Sequence, residues 1–78
     1  MKTYQVSDLE KVFSFNSLAE VSLEKVSEAC DAWENKLEDA YQRGWITMEA
    51  YARSLLKING MANYLMYLVR NHHAYKAL

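Results

Sequence analysis

Residues 18–43, LAEVSLEKVSEACDAWENKLEDAYQR, decide the fold. Apolar side chains recur at Leu23, Val26, Cys30, Trp33 and Leu37, then at Ala40 and Tyr41, alternating steps of three and four that draw one stripe along a helix. Glu20, Glu24, Asp31, Glu34 and Glu38 take the opposite side. Ser17 and Glu20 have the spacing of a capping box, in which each side chain satisfies the other's free backbone N–H, with Asn16 as a competing cap. Arg43 suits the negative end of the helix dipole, and Gly44 suits the left-handed residue that ends a helix. These signals predict one long amphipathic helix over 18–43.

Beyond Gly44, Trp45 and Ile46 form a brief connector, and Thr47 is a cap followed by Glu49 in a first turn. Tyr51, Leu55, Ile58, Ala62, Leu65, Val69 and His72 then keep strict 4-3 spacing. Asn59 and Gly60 are poor helix formers, and an interior glycine costs about 1 kcal/mol relative to alanine. The stripe holds its phase through them, so one helix is predicted over 48–73. Upstream, Ser7 and Glu10 form another capping-box pair ahead of a short helix over 8–13 that carries Leu9, Val12 and Phe13. Six residues of helix do not persist alone and must pack on something larger. The expected fold is all-α: a single domain over 1–78, with a short helix followed by a long antiparallel helical hairpin.

Residues 61–69 are apolar at every position but Asn63. One stripe of this last helix suffices to face the preceding helix, yet Met61, Tyr64, Leu68 and Tyr75 draw a second, well round the cylinder. A helix apolar nearly all round must be covered from more than one direction. Either Leu9, Val12, Phe13 and Phe15 fold back over it, closing a three-helix monomer, or a second chain covers it in a four-helix arrangement. Burying four or five large side chains contributes on the order of 1.5–3 kcal/mol each. A 78-residue chain barely offsets its own conformational entropy without such help. The homodimer is therefore the expectation, and the candidate face for self-association or a partner is Met61, Tyr64, Leu65, Leu68 and Tyr75.

Composition narrows the chemistry. A single cysteine excludes a disulfide framework within the chain and a four-cysteine zinc site, and it fits a reducing cytosol. Two glycines cannot build a phosphate-cradling loop. Without a run of roughly 20 apolar residues or a signal-peptide core, no membrane is expected and the location is expected to be cytoplasmic. His72 and His73 point about 100° apart on a helix and cannot chelate one ion together. Cys30 lies on an apolar stripe, where burial disfavours the thiolate. No serine or cysteine has a histidine and a carboxylate at local spacing, so no catalytic residue, cofactor, metal or small-molecule substrate is expected.

Charge is uneven: residues 1–44 carry nine acidic side chains against five basic ones, and residues 45–78 carry four basic ones against Glu49. Complementary helices within one molecule explain this, as do oppositely charged partners. Glu20, Glu24, Glu28 and Asp31 make a candidate acidic partner face. Arg53, Lys57, Arg70 and Lys76 are candidate nucleic-acid contacts. The run Ile46-Thr47-Met48-Glu49-Ala50-Tyr51-Ala52, with Leu55-Leu56 and then Tyr67-Leu68-Val69-Arg70-Asn71, resembles the helix-turn-helix of excisionase and MerR-type regulators. It departs from that pattern at Lys57, where the turn glycine belongs, and in a would-be recognition helix of Leu, Met and Tyr. The resemblance implies a small dimeric DNA-binding regulator. Size and the lack of active-site machinery instead suggest a non-enzymatic module that binds another protein as an adaptor, inhibitor or regulator. In type it is similar to inhibitors encoded by phages and mobile elements.

Overall fold

The computed structural model describes the backbone of residues 4–77 and the side chains of residues 4–72. Helix α1 spans Val6–Phe13, a 3-10 turn spans Leu18–Glu20, α2 spans Leu23–Gln42 and α3 spans Met48–Ala77. Among the described residues there is no strand, and the fold is all-α with an α2–α3 hairpin.

The hairpin link follows from local chemistry. Gly44 adopts φ 78°, and its N–H donates to the carbonyl of Tyr41 at 3.0 Å while that of Trp45 donates to Ala40 at 2.9 Å. This pair of bonds is the Schellman motif, which satisfies carbonyls that the end of a helix leaves over. Nothing lies within 4 Å of where a Cβ on Gly44 would stand, so glycine is needed there for its backbone and not for space. Gly44→Ala is accordingly expected to cost about 1 kcal/mol, read as a lower urea midpoint, with Gly44→Asn costing less. Thr47 caps α3 as predicted, its Oγ1 accepting from the N–H of Ala50 at 3.1 Å. Tyr41 and Tyr51 stack across the tip with ring centroids 5.0 Å apart.

Two helix starts differ from the sequence reading. The second helix begins at Leu23 and not at residue 18, because Ser22 is its cap and accepts from the N–H of Lys25 at 3.1 Å. Ser17 caps the preceding 3-10 turn instead, accepting from Ala19. The break has a physical reason in Val21. In a continuous helix it would sit about 140° from Val26 and face solvent; extended backbone at Val21 and Ser22 turns it inward, where it is buried. Helix α1 begins at Val6 with Gln5 as a cap that makes no side-chain bond, so Ser7 lies inside the helix and its box with Glu10 does not form. Ser14 ends α1 in the left-handed region at φ 52°, its N–H donating to Glu10.

Helix α3 is unbroken through Asn59 and Gly60. The hydroxyl of Tyr4 lies 2.7 Å from the position a Gly60 Cβ would take, so the missing side chain makes room for the segment that leads into α1. The core is Leu9, Val21, Val26, Cys30, Ile58, Met61, Ala62, Leu65 and Val69. Trp33 ties α1 down: its indole N–H donates to the Val12 carbonyl at 2.8 Å.

Candidate interaction surface

The face expected to meet a second chain is largely consumed inside this one. Met61 is 2% exposed and Leu65 0%, while Tyr64 and Leu68 are half-buried; the side chain of Tyr75 lies outside the described residues. The opening segment covers more than its short helix suggested. Tyr4 packs on Tyr64 with ring centroids 6.1 Å apart, Leu9 is fully buried, and the 3-10 turn with Val21 lies along α3. Of the two arrangements considered for this face, fold-back over Met61 and Leu65 is the one observed, and neither side chain is available to a partner.

The acidic candidates are all exposed. Glu24, Glu28 and Asp31 share the outer side of α2, and among the described residues no cation lies within ion-pair distance of them. Glu20 belongs to the 3-10 turn, where its backbone carbonyl accepts from Lys25 Nζ at 3.4 Å. The basic candidates do not converge. Arg53 is bridged to Glu49 one turn back, and Arg70 lies about 140° round α3 from Lys57. The side chain of Lys76 is outside the described residues. A helix-turn-helix needs a turn near Lys57, and α3 has none there.

Cys30 is buried, and its Sγ lies 3.5 Å from Asn59 Oδ1 and 3.8 Å from Glu34 Oε1, two acceptors that share its single S–H. Burial chiefly raises its pKa; the charges of Glu34 and Asp31 and the hydrogen bond to Glu34 push the same way. Two results are expected. Alkylation by iodoacetamide at pH 8 proceeds severalfold more slowly in the folded chain than in the denaturant-unfolded one. The unfolded thiol also ionises first as pH rises past about 8.5, so this group's contribution is fully present below that pH and is lost above it. Alkaline urea titrations should show that loss in the native sequence and not in Cys30→Ser.

A shallow groove of about 320 Å³ runs between α1 and α2, floored by Val12, Phe13 and Trp33 with Lys11 and Lys36 on its rim. Among the described residues no three of His, Cys, Asp and Glu gather as a metal-binding group, and no helix is long and apolar enough to cross a membrane.

The residues that sequence reasoning missed lie elsewhere. Trp45 is 70% exposed, Met48 66%, Leu56 75% and Tyr67 49%. Met48, Leu56 and Tyr67 line the outer side of α3, turned away from the Ile58–Leu65 side, and Trp45 stands in the turn at its start with the Arg43 guanidinium 5.3 Å from its ring centre. The usable signal was spacing: Met48, Ala52 and Leu56 are each four apart, one face of a helix. Comparison with protein-family models, with curated proteins and with solved structures finds no match to this chain.

Proposed function

We propose that this chain is a small non-enzymatic module that binds protein through the tip of its hairpin and the outer face of α3. The observation that carries the reading is the exposure of Trp45, Met48, Leu56 and Tyr67, four large apolar side chains, on a chain this small. Met48, Leu56 and Tyr67 lie within about 100° of one another round α3, with Trp45 in the turn at its start, and large apolar side chains exposed on a common side suit a contact surface. Tryptophan, methionine and tyrosine are also enriched where proteins meet. The buried thiol, held protonated, suits a binding role better than a nucleophilic one, and a lone cysteine suits a reducing cytosol.

The test is affinity capture from native lysate with immobilised wild-type chain, Leu56→Asp, and a Glu24→Lys/Glu28→Lys control. A stoichiometric protein retained by the wild type and the control and lost with Leu56→Asp is the expected result. The same proteins on all three matrices would overturn the reading.

A further inference from the structure

We infer that the groove between α1 and α2 receives an acidic amphipathic helix of another protein. This contact is separate from the outer face of α3 and does not depend on it. Charge points to the occupant. The groove is lined by Lys11 of α1 and Lys36 of α2 and by no carboxylate, although residues 1–44 carry nine acids against five bases. Asp8, a turn before Val12, lines the other side of α1 beside Lys57 and Met61, and Glu28, a turn before Ala32, stays outside the lining. Both lysines are exposed, and among the described residues neither has an acid within ion-pair distance. The Lys36 ammonium stands 5.1 Å from the centre of the Trp33 ring, which places positive charge over the floor itself. Cations gathered round an apolar floor attract an anion and disfavour a basic visitor.

Shape narrows the occupant further. Both walls are helices whose backbone groups bond within themselves, and the Val12 carbonyl at the end of α1 already accepts from the Trp33 indole. An extended peptide would find no edge to pair with there, whereas a helix arrives with its own backbone satisfied. The groove is shallow, so a small amphiphile in it would stay partly wet, unlike the mostly enclosed ligand of an ordinary pocket. Ala29 and Ala32 keep the α2 wall low, and a helix can lie close, with one large apolar side chain on Trp33 and Phe13. Carboxylates to either side of it then reach Lys11 and Lys36. Each such pair is weak while exposed and the contact is small. A dissociation constant on the order of 10–100 µM is expected, rising with salt.

The test uses a Trp45→Phe chain, in which Trp33 is the remaining indole. A phage library of helical peptides, randomised along one face, is selected on it at low salt. Enriched sequences should carry a leucine or an aromatic residue with Asp or Glu within a turn on either side. The most enriched of them, made synthetically, should move Trp33 emission to the blue. Lys11→Glu/Lys36→Glu, at two exposed sites, should weaken that peptide at least tenfold with helix content unchanged by circular dichroism. Selection on the charge-reversed chain should enrich Lys and Arg instead. Ala32→Gln, which adds bulk beside the floor without charge, should weaken the peptide as well. Enriched sequences without an acidic bias, a peptide that leaves Trp33 emission unchanged, or one held equally by the charge-reversed chain would each overturn the inference. If dodecanoate moves Trp33 emission and no acidic peptide does, the groove takes a small amphiphile, and the partner helix is overturned.

Discussion

Leu65→Ala is expected to lower the unfolding free energy by about 3–4 kcal/mol, whereas Leu56→Ala, nine residues earlier on the same helix, should stay within about 0.5 kcal/mol. Both substitutions remove the same atoms. What differs is the surroundings: Leu65 is 0% exposed, among Ala62, Val69 and the side chains of α2 and the opening segment, while Leu56 is 75% exposed. Truncating the buried leucine loses its transfer free energy and leaves a cavity that neighbouring helices cannot fully close. A domain of this length has about 4–10 kcal/mol of stability in all, so the loss is a large fraction of it. Urea unfolding followed by far-ultraviolet circular dichroism measures both. Equal effects would mean that the helix faces α2 with a different side.

That contrast also marks where the sequence was readable. The stripes of α2 and α3 were visible because steps of three and four fix which side of a cylinder is wet, and Gly44 and Thr47 punctuate the hairpin by backbone rules that act within a few residues. The start of α2 was not visible. Ser17 has glutamate three residues on and Ser22 has lysine, so box spacing favours Ser17; the fact that decides for Ser22 is the burial of Val21 against α3, a contact remote in sequence. Coverage of Met61 failed for a similar reason. The sum of apolar faces counted the first helix and left out Tyr4 and Val21, which reach α3 through extended backbone that has no periodicity to detect. Gly60 looked like a local cost to the helix, and its use appears once Tyr4 stands beside it. The exposed set was hidden by proximity: Tyr67 lies inside a run that reads as interior, and Leu56 adjoins Leu55, half-buried, with about 100° of helix separating the two.

The attachment of α1 governs whether that coverage lasts, and Trp33 is the residue that controls it. Eight residues of helix have too few internal bonds to outlast their own nucleation cost, so α1 exists because it is docked. Two things dock it: burial of Leu9, and the Trp33 indole N–H on the Val12 carbonyl, one of the groups the end of α1 leaves without a partner inside the helix. Trp33→Phe keeps most of the ring and removes the donor, and it is expected to cost about 1 kcal/mol. Trp33→Ala also removes the half-buried ring from beside Val12 and Phe13 and is expected to cost about 2–3 kcal/mol, less than a fully buried tryptophan would. Because the damage is local, hydrogen exchange should rise first at the amides of α1, with those of α2 and α3 still protected. Met61 would then be uncovered, and binding of an apolar dye should increase in Trp33→Ala. In a Trp45→Phe background the remaining indole reports its own surroundings, and its emission should lie to the blue of that from the chain carrying Trp45 alone. If α1 amides in both Trp33 variants exchange as slowly as in the native chain, then apolar burial alone holds α1, and the indole bond adds nothing to it.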